Sequence, residues 1–283
     1  MEIHSIFHLP LGTVLIFLII IITSIKGFRD EEIMNRYQLS TEGILIQKVY
    51  HKLFTHSLVH ADIKHLIFNM IVLFSFGIQF ETLYGTLSFL IVYIGSVIIG
   101  GVFSIYHKQD NSFYTAVGAS GGLSGLVIAG TTAGIFDVKL LLLPVYIPGW
   151  IFGPLFLLGS FYAMYRDKES SISHEGHLGG AMGGFVLGFI VYQIDFSFEN
   201  IAFFSTLISF IIVIALYWRK EETTIFYNIK SKHKVYTERR ERIFNETRAR
   251  ELDNLLEQIS KKGLESLSPS QKFRLDQLSK ELV

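Results

Sequence analysis

Seven blocks of mostly apolar residues, near 9–26, 63–83, 86–106, 118–136, 147–165, 177–194 and 200–218, constrain this chain more than any other feature. A helix of roughly 20 such residues matches the hydrocarbon thickness of a bilayer, and backbone exposed to lipid satisfies its N–H and C=O groups only in helices or closed barrels. The blocks are long and continuous rather than alternating, so the expected class is an all-α polytopic membrane protein. Composition agrees: 50% of residues are hydrophobic and 18% charged. A formal net charge of +0 says nothing about a polyanionic partner, and no nucleic-acid partner is expected. The absence of cysteine excludes a disulfide scaffold and thiol chemistry. The first block has almost no basic segment before it and no small-residue cleavage site after it, which reads as a retained helix rather than a signal peptide.

Between the blocks the connections are short, with one exception. Residues 27–62 are rich in charge yet contain amphipathic runs such as Ile44-Leu45-Ile46 and Val49-Tyr50, so this loop is expected to be partly structured at the interface. After Trp218 the composition turns to Lys, Arg and Glu. Residues 219–283 read as a helical soluble tail in which Leu252, Leu255, Leu256 and Ile259 recur at helical spacing. Ser268-Pro269-Ser270-Gln271 predicts a second helix start, with a capping Ser, Pro at the first position and Gln at the third.

Polar residues inside apolar spans are costly and usually functional. Gly118-Ala119-Ser120-Gly121-Gly122-Leu123-Ser124-Gly125 gives two consecutive Gly-x-Ser-Gly patterns at the head of the fourth block. A serine there lies beside helix N–H groups that lack intrahelical acceptors. His65 and Asn69 lie one turn apart on one face of the second block, Glu81 lies near its end, and His177 opens the sixth. Amide hydrolysis by serine needs a general base, donors for the developing oxyanion, and water. Ser120 can attack, His177 can take the proton, and Asn69, His65 and the Ser120 N–H can hold the oxyanion. Glu175 is two residues from His177 and faces elsewhere, which favours a dyad over a triad. Gly180, Gly184 and Gly188 follow His177 as Gly121 and Gly125 follow Ser120, so the two helix backbones can meet closely.

In this combination the chain resembles the rhomboid intramembrane serine proteases. The resemblance rests on Phe54-Thr55-His56 with His60, on His65 through Asn69, Gly118 through Gly121 and His177-Leu178-Gly179-Gly180, in that order, and on Gly77, Glu81 and Gly85. It covers about residues 9–195 and implies a six-helix rhomboid-like bundle. Residues 200–218 are then an additional transmembrane helix, and 219–283 a charged helical tail as in one bacterial branch. The implied activity is cleavage of the transmembrane helices of membrane-protein substrates at the bacterial plasma membrane. It uses Ser120 and His177, with Asn69 and His65 in the oxyanion site and Gly118, Gly121, Gly180, His60 and Glu81 supporting; no cofactor and no metal are implied.

Two departures matter. His51-Lys52 stands where members often have Trp-Arg, and Ser124 stands where many place an aromatic residue one turn after the nucleophile, under the base. Ser124 is therefore an alternative nucleophile, although Ser120 at the helix entrance fits better. His56 and Glu81 read as structural hydrogen-bonding residues. A zinc protease helix wants His-Glu-x-x-His, and His174-Glu175-Gly176-His177 is one residue short. Non-enzymatic alternatives are an inactive relative that binds membrane helices and, with no internal repeat to support it, a transporter. The breaker-rich run Pro144 through Trp150 suggests a fifth helix able to lean outward, and the loop Arg166 to Glu175 a cap over the site. The family orientation puts the N-terminus in the cytoplasm. The positive-inside rule opposes it, since Lys26, Arg29, Arg36, Lys48 and Lys52 fall on the presumed outer loop.

Overall fold

The computed structural model describes residues 10–134, 138–139, 146–166, 173–192, 200–221, 244 and 248–281. These are mostly helical and fall into two compact units, residues 1–219 and 220–283.

In the first unit, helix α1 (Leu11–Gly27) starts after Pro10, which gives no side-chain cap. Its free N–H groups are taken instead by Glu81, which accepts from Gly12 N at 2.8 Å and Thr13 N at 2.6 Å. A carboxylate at a helix N-terminus answers both the unpaired donors and the dipole. The loop after α1 is structured, as expected: α2 (Glu31–Tyr37) and α3 (Thr41–Leu45) are capped by Asp30 and Ser40. Between them strand β1 (Leu39–Ser40) pairs antiparallel with β2 (Thr115–Ala116). The short α4 (Lys52–Thr55) and a 3₁₀ turn (His56–Leu58) lead to α5 (Ile63–Val72), whose N-cap Asp62 accepts from Lys64 and His65 N–H.

From α5 the chain runs through a π turn, Leu73–Gly77, into α6 (Ile78–His107). Together they form one largely apolar helical run of 45 residues, about 68 Å at 1.5 Å per residue and more than twice a ~30 Å hydrocarbon layer. Gly85, at φ 82° and ψ 163°, breaks this length between the second and third apolar blocks. Among the described residues, Ile63–His107 and Ile201–Trp218 are long and apolar enough to cross a membrane, and Leu11–Gly27 is a shorter apolar helix.

Helix α7 (Ser120–Thr132) is buried along its length from Gly121. Its 13 residues reach only about 20 Å, shorter than the 118–136 block, because the chain turns at Gly134 with φ 72°. Against α7 pack α6 and α9 (His174–Tyr192). Before α9 comes α8 (Gly149–Arg166), which carries Pro154 within it; after α9 comes α10 (Ile201–Glu221). Ser205 on α10 donates to the Trp150 carbonyl at 3.0 Å and Thr206 lies against Gly153, so α8, expected to lean outward, is joined to α10 at its start. Residues 144–145 of the breaker run and 167–172 of the expected cap lie outside the described residues.

The second unit is a helical hairpin, α11 (residues 248–262) and α12 (Pro269–Glu281), turning at Gly263 with φ 79°. Leu255, Leu267 and Leu278 are its buried core, flanked by Leu252, Ile259 and Leu275, while Leu256 is exposed. Ser268 and Gln271 form the expected reciprocal capping box: Ser268 N donates to Gln271 Oε1 at 2.8 Å and Gln271 N to Ser268 Oγ at 3.3 Å.

Candidate active site

Glycine sets the distance between α7 and α9. A Cβ on Gly180 would fall on the Gly121 carbonyl, 2.9 Å from the Gly121 Cα, and one on Gly184 would fall on the carbonyl of Gly125. One on Gly121 would stand 3.3 Å from the Gly176 carbonyl. The two small-residue stripes therefore meet backbone to backbone, one residue from Ser120 on one helix and one residue from His177 on the other. Small residues are how membrane helices gain this contact, since lipid supplies no hydrophobic drive between them.

Ser120 is the first residue of α7 and is partly exposed. Among the described residues its hydroxyl makes no hydrogen bond, and the N–H groups of Ser120, Gly121 and Gly122 have no acceptor. Donors at a helix N-terminus, carrying the positive end of the dipole, suit a developing negative charge. Ser124 is different: it is buried, and its hydroxyl donates to the Ser120 carbonyl at 2.7 Å. The second serine is thus tied into the helix that the first one opens.

The approach to Ser120 is held from the long first loop. Gly118, at φ 119°, is in the left-handed region, and a Cβ there would lie 2.7 Å from the His65 ring, so glycine is required twice over. Gly118 N–H donates to the His56 carbonyl at 2.9 Å, and Ala119 N–H donates to His60 Nε2 at 3.3 Å. With Nε2 accepting, His60 carries its proton on Nδ1 and donates to Ser24 Oγ at 3.0 Å, whose own hydroxyl donates to the Leu58 carbonyl at 3.1 Å. Burial first, then the charge of His65, pulls His60 down to about 3, and burial pulls His56 to about 4, so both stay neutral. His56 Nδ1–H is used on the Lys52 carbonyl at 3.0 Å.

His65 stands edge-on to His60, ring centroids 4.9 Å apart. Asn69 is buried, and one of its two amide hydrogens goes to the His65 carbonyl at 2.9 Å, leaving the other. Glu81 is wholly buried and also accepts from the Thr13 and Thr86 hydroxyls at 2.7 and 2.6 Å. Next to the His177 ring lie Phe156 of α8, at 6.3 Å and tilted 31°, and His174, edge-on at 5.9 Å. No hydrogen bond joins Ser120 and His177 among the described residues, where apo geometry is often looser than in a reacting complex. Glu175 turns away from His177 and pairs with Lys108 at 2.7 Å. Among the described residues no three His, Asp or Glu side chains come together as a metal set.

Residues 47–194, just over half of the chain, match the Rhomboid domain family. The chain belongs to the rhomboid family. It is similar to the rhomboid protease GluP of Bacillus subtilis, 28% identical over 159 residues, or 56% of this chain and 29% of that protein. It is also similar to the rhomboid homologue YdcA of the same bacterium, 32% identical over 142 residues, 50% of this chain and 67% of that one. Inactive rhomboid-related protein 2 of Caenorhabditis elegans is 26% identical over 165 residues, covering 55% and 46%. This rhomboid therefore spans between under a third and two thirds of these relatives' lengths. Residues 237–281 match a family of unknown function (DUF6576).

As a rhomboid the chain is an integral membrane protein. Three of its site neighbours had no sequence signal: Phe156, contributed by α8, Ser173 at the start of α9, and Tyr114 before β2, whose OH meets Ser173 Oγ at 2.8 Å.

Proposed function

We propose that this rhomboid is an intramembrane serine endopeptidase that hydrolyses peptide bonds in or near the transmembrane helices of other membrane proteins. Ser120 Oγ attacks the scissile carbonyl carbon as His177 takes the hydroxyl proton. The carbonyl oxygen, now negative, is held by the Ser120 N–H, the remaining Asn69 amide hydrogen and His65. His177 returns the proton to the leaving amine, giving an acyl-serine and a new N-terminus. Water, deprotonated by His177, then releases the new carboxyl end and restores Ser120.

The observation that carries this reading is the α7–α9 glycine contact, which supports joining the residue after Gly176 to the residue before Gly121. Choosing Ser120 over Ser124 is supported by the Ser124 hydroxyl being bonded to the Ser120 carbonyl. The membrane arrangement that goes with it is a six-helix catalytic domain over about 9–195, a seventh span over 200–218, and the tail 219–283. The site is in the plasma membrane of a bacterium with the N-terminus in the cytoplasm.

A second reading, a member that binds membrane helices without cutting them, draws on the unmade Ser120–His177 hydrogen bond and on the relative named inactive. Cleavage of a single-span model protein by wild type, Ser120→Ala, Ser124→Ala and His177→Ala separates the two. The protease reading expects loss in Ser120→Ala and His177→Ala and near-normal cleavage in Ser124→Ala. Cleavage by none of them, wild type included, supports binding alone.

A further inference from the structure

The first turn of α9 carries His177, and first turns are where helices fray unless capped. Here the turn is tied down by groups that the hydrolysis does not use. Gly176 N–H donates to Ser173 Oγ at 3.1 Å and His177 N–H to the Ser173 carbonyl at 3.1 Å, which makes Ser173 the cap. The Ser173 hydroxyl also meets Tyr114 OH at 2.8 Å and Ser104 Oγ at 3.3 Å. One residue after His174, the buried Glu175 carboxylate takes Lys108 Nζ at 2.7 Å.

Each partner has a place that matters. Lys108 is the C-cap of α6, where a cation meets the negative end of the helix, while Glu175 sits at the positive end of α9. Tyr114 lies four residues before Gly118, in the stretch that pairs with β1 and leads to Ser120. Its phenol is pushed up to about 12, by burial first, and stays protonated. The cluster thus joins the segment entering Ser120 to the turn bearing His177.

We propose that Lys108, Glu175, Tyr114 and Ser173 are positioning residues that hold the His177 ring in register with Ser120, a role that rests on the protease reading above. Deeper in α9 the glycine contacts at Gly180 and Gly184 anchor the helix independently. Loosening the cluster therefore lets the first turn move while the bundle stays assembled.

The test uses the full chain in detergent micelles and a single-span model protein, measuring kcat, KM, thermal midpoint and the rate of labelling by a fluorophosphonate probe. Tyr114→Phe, which removes only a hydroxyl, Ser173→Ala and Glu175→Gln are compared with Lys108→Glu combined with Glu175→Lys. The expected result is a fall of about 10- to 100-fold in kcat and in labelling rate, the size of a small misplacement of a reacting group. KM should stay near wild type, and the charge exchange, which restores the ion pair but sets each charge against its helix dipole, should recover only part of what Glu175→Gln loses. Should a Glu175 variant fail to fold, Tyr114→Phe carries the test alone. Wild-type kcat and labelling in folded variants would overturn the positioning role and leave the protease reading intact. A folded wild type that neither cleaves nor labels would overturn both.

Discussion

Ala119 N–H donates to His60 Nε2 at 3.3 Å, so the residue before the proposed nucleophile is held by an imidazole that must be neutral to accept. His60 is held near 3 and His56 near 4, against an ordinary 6.5. In both cases the folded value is depressed, so the unfolded chain binds the proton first as pH falls. Stability is complete above about pH 6.5 and declines from there towards the folded values. By pH 5 each histidine removes about 2 kcal/mol, from 1.36 kcal/mol per pH unit over the interval. Thermal midpoints in micelles should fall between pH 7.5 and 5, with a shallower fall in His56→Asn. An unchanged midpoint across that range would refute the assignment of His60 and His56 as buried neutral histidines.

Glu81 is the acceptor for four donors, and its loss should unfasten α1 from the rest of the first unit. Glu81→Ala strands two N–H groups of α1 together with the Thr13 and Thr86 hydroxyls. Each buried unsatisfied donor costs about 1–3 kcal/mol, and relaxation of α1 recovers part of the sum. Glu81→Gln keeps one oxygen but turns an NH₂ towards donors, and should be intermediate. Thermal midpoints should rank wild type, Glu81→Gln, Glu81→Ala.

Gly180→Ala should cut cleavage far more than its one methyl suggests, because the new Cβ falls on the Gly121 carbonyl and the backbones must part. A separation of about 1 Å between reacting groups is worth roughly 100-fold in rate. Gly159→Ala on α8 is the control: nothing lies within 4 Å of its Cβ position. Replacing helical glycine there should leave cleavage intact and add about 0.5–1 kcal/mol of stability. Equal cleavage by both variants would remove the glycine contact as the support for the dyad.

The parts legible in the sequence were those written in local spacing. Gly121 with Gly125 and Gly180 with Gly184 repeat at one helical turn, and Ser268 with Gln271 spell a capping box within four residues. Apolarity did not reveal where helices stop: α7 ends at Thr132, before the 118–136 block does, because Gly134 turns the chain. The role of His60 depends on Ala119, which is 59 residues away, and Glu81 meets Gly12 across 69. Such pairs leave no periodic trace. Glu81 was readable as a structural hydrogen-bonding residue, but nothing near it in the sequence named its partner, the N-terminus of α1.

Phe156 supplies the last prediction, since an aromatic residue was sought on α7, one turn after Ser120, and Ser124 stands there instead. The ring beside His177 comes from α8, 6.3 Å away and tilted 31°. A ring beside the imidazole restricts its rotation more than a smaller side chain would. Phe156→Ala should lower kcat about tenfold through freer motion of the base, with little change in KM, whereas Phe156→Tyr keeps the ring and most of the rate. Comparing both with Phe156→Leu separates the effects: Leu restores most of the lost volume but no aromatic face. Activity near wild type in Phe156→Leu would assign the side chain to packing alone. A loss matching that of Phe156→Ala would assign it to support of the imidazole.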